Sequence, residues 1–178
     1  MARVAFIEED EHPELAELIA RIRAGRRGGL LNVYKTLLNS PPLAATWLEH
    51  LNAVRWKTQL EGRLRELVVI RIAILNRTDY VLNQHVPHLA LADGVTIEEC
   101  EALKDWRASS FFDERERAVL AYADAMTREV SVSDAVYADV RRHFDDQRIV
   151  ELTVLIASYN MHNRVMRALE VDLEGTKR

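Results

Sequence analysis

The stretch Arg63-Leu-Arg-Glu66-Leu-Val-Val-Ile-Arg71-Ile-Ala-Ile-Leu-Asn76, then Arg77-Thr-Asp79-Tyr80-Val-Leu-Asn-Gln-His85-Val-Pro87-His88, is the most apolar part of the chain and carries its densest set of reactive side chains. Leu64, Leu67, Val68, Arg71, Ile72 and Leu75 recur at helical spacing, and Val69, Ile70 and Ile74 widen that stripe. A helix apolar on most sides must be buried on most sides, so Leu60 to Leu75 is expected at the centre of the fold. The β-branched run Val68-Val69-Ile70 suits a strand, but its long unbroken setting favours helix. Asn76 to Asp79 reads as a polar turn, and Tyr80 to Ala92 as a second helix that Pro87 should kink by removing a backbone donor. Asp93-Gly94 closes it in the manner of a left-handed cap.

The helical pattern extends outward in both directions. Pro13 opens a helix with Leu15, Leu18, Ile19 and Ile22 inward, ended by Gly25, and Leu30 to Leu38 forms a short one. Ser40-Pro41 opens a helix carrying Leu43, Trp47, Leu48, Leu51 and Val54 inward to about Lys57. Thr96 and Glu99 make a capping box, Asp113 and Glu116 a looser one, Ser133 caps a short helix, and Asp145 opens the last, which runs to about Leu169. The charged tail from Glu170 to Arg178 is expected to fray. No segment alternates as a strand does. The expectation is an all-α fold of roughly eight helices in one domain, 1–178.

Composition narrows the function. The chain has 178 residues, 48% apolar and 29% charged, with a formal net charge of −4 and scattered basic residues. That balance speaks against nucleic acid or an acidic membrane surface as the main partner. No run reaches the roughly 20 apolar residues of a membrane span, and the N-terminus turns acidic before it reaches signal-peptide length, so a cytoplasmic protein is expected. The single cysteine, Cys100, permits no intramolecular disulfide and no two-thiol cycle.

Glu66 is the acid of the buried helix. An ionised carboxylate buried alone costs several kcal/mol, so Glu66 must be paired, protonated or at the rim; Arg63 and Arg65 are its local candidates. On the following segment Val81, His85 and His88 fall at i, i+4 and i+7, which places them on one face of the second helix. The two histidines lack a third ligand at a recognised spacing, so no metal is expected. Phosphate-binding loops and serine-nucleophile motifs are absent from the sequence.

Taken together, Arg65-Glu66-Leu67, Tyr80 with His85 five residues on, Ala90, Gly94 and the helix Asp113-Glu-Arg-Glu-Arg-Ala-Val-Leu-Ala-Tyr-Ala123 resemble the carboxymuconolactone decarboxylase family. Its superfamily includes the alkylhydroperoxidase D-type proteins. The resemblance covers about 43–125, with N-terminal helices over 1–40 and C-terminal helices over 133–170, where Glu151 to Tyr159 fits the family's last part. The peroxidase branch carries a glutamate, a Cys-x-x-Cys pair and a histidine four residues later. With His85 as register, the glutamate falls on Glu66, the thiols on Thr78 and Val81, and the histidine inside the Cys-x-x-Cys on Tyr80. Both thiols are missing here, which disfavours a peroxiredoxin-like antioxidant activity.

The resemblance then implies a cofactor-free acid/base lyase acting on a small carboxylated lactone or a related metabolite of aromatic degradation. In that reading His85 transfers the proton, Glu66 orients it and Tyr80 donates to developing enolate oxygen. Arg71, His88 and Arg164 are the candidate substrate-binding residues. The family also implies a homo-oligomer, a trimer or hexamer. A non-catalytic helical protein binding a small ligand in the same place is the other reading.

Overall fold

The computed structural model describes residues 1–26 and 28–176. Among these there are nine α-helices and no strand, one more helix than the rough count from sequence. The chain divides into two compact units, Met1–Lys57 with Val165–Arg178, and Thr58–Arg164.

The first unit holds α1 (Ala16–Ala24), α2 (Asn32–Leu37) and α3 (Pro41–Trp56), preceded by two short 3-10 turns. Ile19 and Ile22 of α1 are fully buried, and α3 buries Ala44, Leu48, Leu51 and Val54 along one face. Leu43, expected inward, is 60% exposed, because Ala44 and Leu48 mark the buried face and Leu43 falls off it. The tail does not fray as its charge suggested. The Asn32 backbone N–H, an unpaired donor at the start of α2, donates to Glu174 Oε1 at 2.8 Å, and the Asn32 side chain donates to the carbonyls of Asp172 and Leu173. Arg3 N–H donates to the Leu169 carbonyl at 2.9 Å, and Val171 is buried. The last two residues of that tail lie outside the described ones.

The second unit is built round α4 (Gly62–Asn76), in which ten consecutive residues, Leu64 to Ala73, are buried. It packs along α7 (Glu114–Arg128) and touches α5 (Asp79–Gln84) and a π-helical turn, His85–Ala90. α6 (Ile97–Ala102), α8 (Asp134–Arg141) and α9 (Asp146–Ala168) complete the helices, with α9 belonging to this unit as far as Arg164. Leu67, Ile70, Ala90, Val95, Cys100, Leu103, Trp106, Phe112 and Leu120 form its apolar core.

Local capping signals set the helix starts. The Thr96–Glu99 and Asp113–Glu116 capping boxes are both complete, Ser133 accepts from Val136 N–H, and Asp145 from Arg148 N–H. Arg63 bridges the two boxes. Its guanidinium donates to Glu99 at 2.6 Å and to Glu116 at 2.7 Å, tying the first turn of α4 to the starts of α6 and α7. Pairing with Arg63 holds the Glu99 carboxyl below its ordinary range, against the opposing effect of burial. Further along α4, Arg71 forms a two-point pair with Asp124 of α7 at 2.6 and 2.8 Å.

The second helix of the opening stretch is where an α period fails. α5 stops at Gln84, and His85–Ala90 winds as a π-helical turn containing Pro87. A ring that offers no N–H and crowds the preceding turn is accommodated by widening it, so the expected kink takes this form. Gly94 has φ +78° and closes the segment as a left-handed cap.

Candidate functional site: a buried acid–imidazole pair

Glu66 and His85 meet in the second unit although 19 residues separate them. α4 presents Glu66 from its second turn with no solvent exposure, and the start of the π-helical turn presents His85 at 5% exposure. His85 Nδ1 and Glu66 Oε2 are 2.6 Å apart. With Glu66 ionised, the carboxylate accepts and Nδ1–H donates, which in a neutral imidazole leaves the lone pair on Nε2.

Other charges surround the pair. Arg65 Nε lies 3.6 Å from the other carboxylate oxygen of Glu66, while Arg65 Nη2 binds Asp93 at 2.6 Å. Asp93 approaches so closely that a Cβ on Gly62 would sit 2.2 Å from its Oδ1. Glycine at the start of α4 thus admits Asp93, Asp93 holds Arg65, and Arg65 lies beside Glu66. The Tyr159 ring of α9 stands edge-on to His85, centroids 5.7 Å apart at 86°, and also lies 5.8 Å from the His162 ring. Tyr159 and His162 are both buried.

The remaining candidates are distributed differently. Tyr80 is buried in the first turn of α5. His88 is exposed, since the wider π-helical turn carries it away from the face that buries His85. Arg71 is buried with its donors committed to Asp124 and to the carbonyls of Leu103 and Lys104. The expectation that it anchors a substrate carboxylate therefore gives way to a structural role. Arg164 is exposed and reaches the Thr127 carbonyl at 3.5 Å. Sequence reasoning missed Asp93, Tyr159 and His162 as neighbours of the pair. The glycine-capped Asp93 gave a turn signal only, Tyr159 read as part of the last helix, and His162 gave no signal of its own.

Thr78 and Val81, at the two thiol positions of the peroxidase pattern, are both buried. Cys100 is buried in the core, and burial first, then the negative charges of Glu99, Glu66 and Glu101, push its thiol up to about 11. Among the described residues no group of three or more His, Cys, Asp or Glu side chains is placed to hold a metal ion. Nor is any helix long and apolar enough to cross a membrane. The chemistry this arrangement offers is proton movement at an imidazole held by a carboxylate.

Comparison with known proteins bears on the family and the fold. The sequence profile of the Carboxymuconolactone decarboxylase family matches residues 41–125. The uncharacterised protein YnjA of Escherichia coli (strain K12) is 32% identical over 72% of this chain and 68% of its own length. A crystal structure from Agrobacterium tumefaciens, a protein of unknown function described as a candidate antioxidant defence protein AhpD, superimposes with a TM-score of 0.74 at 27% identity, over 79% of this chain and 97% of that one. An uncharacterised peroxidase-related protein from Silicibacter sp. TM1040 shares the fold with a TM-score of 0.82 at 21% identity, over 98% of this chain and 92% of its own.

Proposed function

We propose, on the premise that this chain belongs to the carboxymuconolactone decarboxylase family, that it is a cofactor-free acid/base lyase for a small carboxylated lactone or a close chemical relative. The observation that carries the reading is the buried 2.6 Å hydrogen bond between Glu66 and His85. Decarboxylation of such a lactone breaks the bond to the carboxylate carbon, and its electron pair passes into the unsaturated ring as CO₂ leaves. A carbon of the resulting enolate must then take a proton.

His85 supplies that proton from Nε2, imidazole being the side chain whose exchange lies nearest neutrality. Glu66 fixes the ring through Nδ1 and stabilises the imidazolium form that precedes donation. Tyr80 is assigned the hydrogen bond to the developing enolate oxygen. Burial of the pair strengthens these interactions relative to water. The absence of thiols at positions 78 and 81, with the only cysteine raised to about 11, supports acid/base rather than thiol chemistry.

The reading extends to assembly as a homo-oligomer. Val150, Val154 and Met161 are exposed on α9, 60%, 40% and 39% respectively, and share one helical face. An apolar stripe of this kind is suited to burial against another copy.

The test is a screen of small carboxylated lactones and keto acids for CO₂ release. His85→Ala should lower turnover by about 10²-fold or more while leaving the helical circular dichroism unchanged. Full activity in that variant would overturn the assignment of His85, and a complete absence of CO₂ release in the wild type would favour a ligand-binding protein instead.

A further inference from the structure

We propose a second binding site, for a small multivalent anion, at the far end of α4. A cleft of about 470 Å³ in the second unit is lined by Arg71, Asn76, Arg77, Lys104, Thr127 and Arg128, among others. Arg77 lies eleven residues beyond Glu66, about 16 Å along the direction of α4, so this cleft is separate from the acid–imidazole pair.

Its charge is unusual for the chain around it. Four cationic side chains come from α4 and the residue that ends it, from the 3-10 turn Leu103–Asp105, and from the last turn of α7, and no acidic residue lines the cleft among the described ones. Two of the four are balanced, since Arg71 pairs with Asp124 and Lys104 with the exposed Glu101. Arg77 and Arg128 are both exposed, and neither forms an ion pair among the described residues. The chain as a whole carries −4. Two unbalanced guanidinium groups at one cleft make a local field opposite in sign to the net charge, suited to capturing an anion.

Helix C-termini attract cations, and that alone would put an arginine near the ends of α4 and α7. It does not explain the backbone at Arg77. This residue has φ +56° and ψ +48°, a left-handed conformation in which glycine is favoured. The α4 terminus is already closed by its own backbone, with Arg77 N–H on the Ile74 carbonyl and Thr78 N–H on the Ala73 carbonyl. Glycine would make the same closure without strain. Val130 and Glu170, just past the ends of α7 and α9, share this left-handed backbone, so the conformation alone marks no site; at Arg77 it falls on a residue that lines the cleft.

One neutral group fits the same ligand class. Thr127 Oγ1 accepts from the Asn160 side chain and retains its own hydrogen for an anion oxygen. Asn76 spends its amide hydrogens on the Ile72 carbonyl and on Asn160, so it supplies no donor to an anion. Guanidinium groups bind phosphate and carboxylate oxygens by the same paired geometry, so the chemistry is that of a phosphate ester or a polycarboxylate.

Isothermal titration and thermal unfolding with pyrophosphate and with citrate, each against sodium chloride of equal ionic strength, separate the two sources. Saturable binding with a matching rise in unfolding temperature is expected for at least one of them. Pyrophosphate alone identifies a phosphate ester, citrate alone a polycarboxylate. Arg77→Gly should weaken that binding by about tenfold or more, while the unliganded variant unfolds at the same temperature or higher because the left-handed strain is gone. Arg128→Gln should weaken it similarly. Equal effects of the chloride control in the wild type, or undiminished affinity in both variants, would overturn the proposal. Neither result bears on His85, whose test is CO₂ release.

Discussion

Replacing Asp124 with Asn perturbs the buried ion pair that joins α4 to α7. The Asp124 carboxylate accepts from Arg71 Nε and Nη2 at 2.6 and 2.8 Å, from Trp106 Nε1 at 3.3 Å and from Arg107 Nη1 at 3.0 Å. Both paired side chains are almost inaccessible, 3% for Arg71 and 5% for Asp124, so solvent screening discounts little of their interaction. Asparagine keeps one acceptor, turns the other into a donor facing donors, and leaves the Arg71 charge buried without its counter-charge. Breaking one side of such a pair costs about 3–5 kcal/mol. Arg107 adds little, because its side chain is 60% exposed. For a chain of this size the loss corresponds to about 6–20 °C in unfolding temperature. Urea unfolding followed by circular dichroism measures it directly. The double variant Arg71→Leu with Asp124→Leu should be less destabilised than the sum of its single changes by about 2 kcal/mol or more, since no lone charge remains buried. The same pair sets an acid limit. Burial would raise the Asp124 carboxyl, but Arg71, Arg107 and Trp106 together hold it below its ordinary value. A depressed folded-state value contributes stability above the unfolded carboxyl range, near pH 4, that is lost as pH falls through the folded value. The gap between wild type and Asp124→Asn should therefore narrow below about pH 4. A loss under about 1 kcal/mol at pH 7, or strict additivity in the double variant, would refute the reasoning.

Two further outcomes follow from single contacts. Gly62→Ala places a Cβ 2.2 Å from Asp93 Oδ1, so Asp93 must leave Arg65; the cost should be about 1–2 kcal/mol in urea unfolding, overpacking exceeding the gain in helix propensity. Stability equal to or above wild type would show that Asp93 moves freely. If the α9 stripe is the contact between copies, light scattering should find an oligomer for the wild type and smaller particles for Val154→Glu, whereas an unchanged mass would place any contact elsewhere.

Local signals were the legible ones. The burial of α4 was readable because apolar side chains occupy most of its faces, and the capping boxes because each is completed within four residues. Long-range partners were not. Arg71 looked like a cation in an apolar stripe, and only the fold brings Asp124, 53 residues away, to meet it. Arg63 looked like a partner for Glu66 but binds the two capping-box glutamates, since it leaves α4 on the side facing α6 and α7. His88 was placed with His85 by assuming an α period, which a π-helical turn does not keep. The tail was read as frayed because its charge suggested solvent, whereas unpaired donors near residues 3 and 32 give it hydrogen-bond partners.

The two buried charged contacts of α4 differ in what they can become. Arg71 faces Asp124, and a guanidinium keeps its proton at every pH a protein survives, so that contact can hold helices together but cannot pass a proton. Glu66 faces His85, and an imidazole, unlike a guanidinium, can exchange a proton as part of its ordinary chemistry. As a pure fastening, the second contact is a poor choice: a buried carboxylate and imidazole can often be replaced by apolar groups of similar size with no loss of stability. It also sits on a turn wound off the α period, with Asp93 and Arg65 set beside it through a glycine. Departures from local rules tend to gather where function requires them. Arg71–Asp124 fastens α4 to α7, while Glu66–His85 joins α4 to the turn that leaves the α period.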